Sequence, residues 1–155
     1  MNLQGKISFL LDNDLSSDIA TSLKLFNFDI VPFKDVPEFQ NRSDGVEDPE
    51  IIQWCKDRNR VWITHDFKAR RKHEGAMKAA RIHVVWIRGK TQPPELQSDE
   101  SATWRFYKML VRTIDELQRT LLNSRGAMHF RLSTNVGSRP NVDWAESSHD
   151  RREGR

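Results

Sequence analysis

The run Ile7-Ser8-Phe9-Leu10-Leu11 stops abruptly at Asp12, and Asp14 follows two residues later. An almost unbroken apolar run of that length reads as a strand buried on both faces, as in a parallel sheet, rather than as a half-exposed strand. A parallel strand needs neighbours joined by crossover connections, usually helices. Its carboxyl end is also where open α/β sheets gather their ligands. Asp12 falls at that end, so charge stands where function usually sits.

The rest of the chain supplies the crossovers. Ser16 or Ser17 can cap a helix whose inward stripe is Leu15, Ile19, Leu23 and Phe26, with Asn27 as its stop. A short strand, Phe28 to Val31, is closed by Pro32, and Pro37, Asn41, Ser43 and Gly45 mark a loop. Asp48-Pro49-Glu50-Ile51-Ile52 then reads as an N-cap aspartate, a proline at the first helical position and an acidic first turn, opening a helix to about Asp57 or Arg58.

Val61-Trp62-Ile63-Thr64 is a third strand, again ended by an acid in His65-Asp66. A basic run, Lys68 to Lys72, precedes a helix through Glu74, Met77 and Ala80, and Ile82 to Ile87 is a fourth strand. Beyond Pro93-Pro94, an amphipathic helix from about Asp99 to Leu122 carries Trp104, Met109, Val111, Ile114, Leu117 and Leu121. His129 to Leu132 can form one more short strand. Alternating strands and helices predict an α/β fold: a central, mostly parallel sheet with helices on both faces. From about Ser133 onward the chain is polar, with Val142 and Trp144 as isolated apolar anchors, and is expected to be largely disordered by itself.

At 155 residues the chain fits one domain. It contains no run of the ~20 apolar residues a membrane span needs and no secretory leader, which predicts a cytoplasmic protein with no membrane partner. The single cysteine, Cys55, reads as a small core residue. Of the five tryptophans, Trp54, Trp62, Trp86 and Trp104 read as core, leaving Trp144 to stack or dock.

Charge is unevenly distributed. Asp12 to Glu50 holds ten acids against three bases, whereas Ile51 to Lys90 holds eleven bases against three acids. That order suggests a cation site beside a surface for a polyanion. Asp12, Asp48 and Asp66 all stand at element edges that a parallel sheet brings to one side. Carboxylates ~4 Å apart repel by about 1 to 4 kcal/mol at surface dielectrics, which a divalent cation offsets. Oxygen-only ligation favours Mg²⁺ or Mn²⁺, while scattered histidines and the lack of a Cys-x-x-Cys argue against zinc. Each acid also has a plain structural role available, since Asp favours caps and strand-to-helix loops. The basic stretch Lys68, Arg70, Arg71, Lys72 and His73 follows directly on Asp66 and can hold a phosphate backbone there. His65 is a candidate for proton transfer but reads better as an ordinary loop residue.

In this order, Phe-Leu-Leu-Asp12-Asn-Asp14, then Gly45-Val-Glu-Asp48-Pro-Glu-Ile-Ile52, then Val61-Trp-Ile-Thr64-His-Asp66, then Ile82 to Ile87, the motifs resemble a PIN-like domain. Within that group they are most similar to the VapC-type toxins of type II toxin–antitoxin modules. The resemblance covers about residues 5 to 90. It implies a three-layer α/β/α fold and a Mg²⁺/Mn²⁺-dependent endoribonuclease. Asp12, Asp48 and Asp66 match the acids that hold one or two divalent cations for phosphodiester hydrolysis, and Thr64 matches the hydroxyl that supports them. Family members commonly carry a fourth acid shortly after the third, yet Phe67-Lys68-Ala69-Arg70 follow Asp66 here. Asp14, Glu47 or Glu50 can substitute, or a second metal binds only with substrate.

The expected organisation is a nuclease domain over 1–125 and a polar extension over 126–155. The expected partners are an RNA substrate and a cognate antitoxin that places an arginine or lysine in the acidic crevice; a homodimer is compatible with these residues. Two rivals remain. One is a receiver-like regulatory domain, which also has paired acids after one strand and a lone acid after another. The other is a catalytically idle binding module on the same fold.

Overall fold

The computed structural model of the chain describes residues 6–65, 67–88, 101–124, 126, 128–133 and 145–146; of 67–71, 88, 128, 131, 133, 145 and 146 it describes the backbone alone. The elements in chain order are β1 (Ser8–Leu11), α1 (Ser17–Lys24), β2 (Asp29–Pro32), α2 (Asp48–Arg58), β3 (Arg60–Thr64), α3 (Phe67–Ala80), β4 (Val84–Arg88), α4 (Ala102–Asn123), β5 (Met128–Ser133) and β6 (Ala145–Glu146). Two 3-10 turns, Phe33–Asp35 and Pro37–Phe39, interrupt the loop before α2.

The six strands lie in the order β2-β1-β3-β4-β5-β6, with the first five parallel and β6 antiparallel to β5. β1 is central, its Leu10 aligned with Val31 on one side and Trp62 on the other. The pleat then sends alternate residues to opposite faces. Phe9, Leu11, Val61, Ile63, Val85, Ile87, Phe130 and Leu132 pack under α1 and α4. Leu10, Trp62, Val84 and Trp86 pack with α2 and α3 through Ile51, Ile52, Cys55 and Met77. Two separate apolar layers, one on each side of the sheet, make the three-layer α/β/α fold that the sequence pattern predicts.

Burial explains why the strand runs are continuous. Trp62 and Trp86 are fully inaccessible, and their rings meet at 6.4 Å between centroids, inside the range in which aromatic pairs add about 0.5–1.5 kcal/mol. Each fully buried large apolar side chain contributes roughly 1.5–3 kcal/mol. Helix ends are closed locally. Ser16 caps α1 by accepting from the Asp18 N–H, and Asn27 and Asn59 take the left-handed conformation after α1 and α2 (φ 64° and 50°).

Several expectations shift. Phe26 lies off the α1 stripe and is 67% exposed, because the helix ends at Lys24 and the chain turns at Asn27. Trp104 and Val111 are also about half exposed, since α4 docks through Met109, Leu110, Thr113, Ile114, Leu117 and Leu121. Trp104 instead stacks on Tyr107, with the Lys108 ammonium 5.5 Å from its ring centroid. Trp54 is only partly buried, and Arg58 lies over its ring at 4.6 Å. Asp48 is not the cap of α2: Glu47 holds the extended cap position and Asp48 begins the helix. The basic run does not precede α3 but forms its first turns, because α3 begins at Phe67.

β5 pairs with β4 throughout and buries Phe130 and Leu132 completely, while β6 pairs with Met128 and His129. The rest of the polar tail, Val142 and Trp144 included, lies outside the described residues, as does Pro93-Pro94. Among the described residues no helix is long and apolar enough to cross a membrane.

Candidate active site

Because β1 has a parallel neighbour on each side, reached by crossovers that leave in opposite directions, the carboxyl ends of β1 and β3 flank a topological switch point. Asp12 and Thr64 stand there. Asp12 is two residues beyond Leu10, and Thr64 two beyond Trp62, so both point to the α2–α3 side of the sheet.

The two side chains are joined: the Thr64 hydroxyl donates to Asp12 Oδ2 at 2.6 Å. The backbone N–H of Asn13 donates to Asp12 Oδ1 at 2.7 Å, and the Asp12 N–H continues the ladder to the Ile63 carbonyl at 2.9 Å. Asp12 is 9% exposed and Thr64 fully buried. A carboxylate taken this far from water is costly unless it is hydrogen-bonded, and bonds to a charged group contribute about 1.5–3 kcal/mol each. A carboxylate has about four acceptor positions, so these two donors leave lone pairs on both oxygens. The Asp12 charge reaches across the layer to Cys55. Burial first, and that charge second, push the Cys55 thiol up to about 12.

The α2–α3 layer becomes polar at the same edge. On α2 the inward stripe Cys55, Ile52 is continued upward by Asp48, and on α3 the stripe Ala80, Met77 is continued by His73. The two meet, His73 Nε2 lying 3.6 Å from Asp48 Oδ2, with side-chain exposures of 17% and 27%. Four elements therefore change from apolar to polar at one rim: Leu10 to Asp12, Trp62 to Thr64, Ile52 to Asp48 and Met77 to His73. His73 has a sequence signal, its helical spacing of four and seven from Met77 and Ala80, but within a basic run that signal is easily read as surface charge.

Other candidates fall elsewhere. Asp14 is exposed, and its Oδ2 accepts the backbone N–H of His65 at 3.2 Å, tying the β1–α1 loop to the end of β3. Glu50 forms a two-point ion pair with Arg42 on the surface, which holds it as a structural group. Glu47 makes no side-chain capping bond. His65 turns to the opposite face, where Nδ1 lies 2.6 Å from the Ile87 carbonyl oxygen and the ring packs on Phe106 of α4 at 5.0 Å. That bond requires the proton on Nδ1. Asp66 lies outside the described residues, as do the side chains of Lys68, Arg70 and Arg71, although their backbone sits in α3; Lys72 is exposed.

The donor chemistry fits a hard divalent cation. Asp12 and Asp48 offer carboxylate oxygens at one rim, and Mg²⁺ is ordinarily held by one or two carboxylates, with water and phosphate completing its shell. Among the described residues no three His, Cys, Asp or Glu side chains are grouped as a complete metal cage.

The strand order β2-β1-β3-β4-β5 is one that other doubly wound domains share, receivers among them, so order alone does not separate the rivals. No curated protein and no solved structure matches the chain. A family profile described as a PIN-like domain matches residues 7–89, a stretch that begins just before β1, ends just after β4 and contains every residue of the Asp12–Thr64–Asp48–His73 rim. With more than half of its length matched, the chain belongs to the PIN-like domain family.

Proposed function

We propose that the chain is a Mg²⁺- or Mn²⁺-dependent endoribonuclease that hydrolyses phosphodiester bonds at the rim between β1 and β3. PIN-like domains are generally nucleases, and the observation that carries the reading is the buried Asp12 carboxylate held by Thr64 at the switch point. Asp12 and Asp48, with Asp66, are the residues to hold the cation. When bound, such an ion lowers the pKa of a coordinated water and offsets charge on the phosphate. Thr64 and the Asn13 N–H orient Asp12 so that its remaining lone pairs face the crevice. Lys68, Arg70, Arg71 and Lys72, on the first turns of α3, hold the RNA backbone, helped by the positive end of the helix dipole.

The narrower reading, the toxin of a type II module, is supported by the motif order and by the acidic balance from Asp12 to Glu50. A cognate antitoxin would place an arginine or lysine against those acids. The polar tail with Trp144 is a second contact for that partner.

The test is digestion of a structured RNA with Mg²⁺, Mn²⁺, Ca²⁺ or chelator, followed by mapping of the termini. The expected products carry 5′-phosphate and 3′-hydroxyl ends and form only with Mg²⁺ or Mn²⁺. Cleavage in chelator, or 2′,3′-cyclic phosphate ends, overturns the carboxylate–metal mechanism. Acetyl phosphate labelling without RNA cleavage would point to the receiver instead.

A further inference from the structure

We infer that His73 is a nitrogen ligand of the cation site, giving it a mixed imidazole–carboxylate character and a preference for Mn²⁺ over Mg²⁺. The inference rests on Asp48 as a cation ligand. Its basis is the 3.6 Å between His73 Nε2 and Asp48 Oδ2, contributed by two different helices at one rim. That separation is longer than an ordinary hydrogen bond. Two ligand atoms adjacent on an octahedral ion with bonds of ~2.1 Å lie roughly 3 Å apart, so small side-chain rotations bring the pair to ligating distance.

Position favours this role over surface charge. His73 occupies an inward position, four residues before the fully buried Met77, and is far less exposed than a solvated basic residue would be. A residue placed there only to pack would be aliphatic, like Met77. No acid occupies 67–70, and α3 offers in its second turn an imidazole facing the Asp48 carboxylate instead. Imidazole suits transition metals, whereas Mg²⁺ prefers oxygen.

The experiment is Mn²⁺ binding to the full chain, followed by electron paramagnetic resonance, with Mg²⁺ as competitor. Wild type is compared with His73→Ala, His73→Gln, Asp48→Asn and Asp12→Asn, each first checked by thermal melting. Pulsed measurements on bound Mn²⁺ read imidazole nitrogen directly. The expected result is nitrogen modulation in wild type that disappears in both His73 variants, with Mn²⁺ affinity lowered about tenfold and Mg²⁺ affinity nearly unchanged. Bound Mn²⁺ without nitrogen modulation, or modulation that persists in His73→Ala and His73→Gln, overturns the assignment to His73 and leaves the carboxylate site intact. If Mn²⁺ does not bind wild type, or binds equally well to Asp12→Asn and Asp48→Asn, the carboxylate site itself fails and the His73 assignment with it.

Discussion

The two faces of the sheet are built from the same strands and end differently. Under α1 and α4, the apolar layer runs to the carboxyl edge and is finished by His65, whose ring covers Phe106 and whose Nδ1 meets the Ile87 carbonyl. Under α2 and α3, the layer stops one step short, and Asp12, Thr64, Asp48 and His73 take the last positions. A one-residue change of parity separates a packing histidine from a buried carboxylate. The fold needs only one well-sealed face at that edge; the other can carry groups that would be costly if nothing bound them.

If this contrast is functional, the largest effect belongs to Asp12→Asn. Cleavage should fall by at least ~100-fold, the upper end of what losing a mere supporting partner costs, with the chain still folded. Retained activity in a folded variant would remove Asp12 from the chemistry and erase the difference between the faces.

Thr64→Val comes next. Removing the hydroxyl deprives Asp12 Oδ2 of its 2.6 Å donor, so activity should drop about 10-fold and stability by about 1–3 kcal/mol, with Thr64→Ser restoring both. Stability that falls while activity does not would make Thr64 a packing residue only.

Cys55 reads the same face electrostatically. Its thiol, pushed up from 9.0 to about 12 by burial and then by the Asp12 charge, should resist alkylation in the folded chain near neutral pH. The raised value also has a sign. Stability from this group is fully present below pH ~9, where the unfolded thiol titrates, and is lost as pH rises toward 12, with a slope no steeper than about 1.4 kcal/mol per pH unit. Chemical denaturation of wild type and Cys55→Ala across that window checks it. In Asp12→Asn the thiol should titrate lower.

The smallest effect is expected on the sealed face. His65→Phe keeps the contact with Phe106 and removes a donor from the Ile87 carbonyl, so stability should fall by about 1 kcal/mol and cleavage should not change. A large loss of cleavage would mean that the two faces cooperate in the chemistry.

Much of this contrast is legible in the chain and part is not. Unbroken apolar runs ending at Asp12 and Thr64 specify parallel strands with polar carboxyl ends, and alternation within them assigns Asp12 and Thr64 to one face once the partners of each face are known. Asp48 reads as a helix start, but its position one residue inside the helix depends on Glu47 taking extended geometry, a difference local motifs resolve poorly. His73 looks like part of a basic run because helical phase, not composition, turns it inward. His65 is adjacent to the third acid in sequence and on the opposite side of the sheet in space. Trp104 is exposed because the apolar stripe of α4 is narrower than its count of apolar residues suggests.

The outer strand β2 carries a further consequence. It is four residues long and ends in Pro32, which has no N–H to offer, while its Asp29 carboxylate accepts from the Ser8 hydroxyl at 2.6 Å and from Arg60 at 3.2 Å. Short edge strands closed by proline and charge discourage the addition of a further strand. The β2 border therefore guards against growth of the sheet by chain-to-chain pairing. A protein partner at that border would have to dock through side chains and helices, without the backbone ladder by which many peptides attach to open sheets.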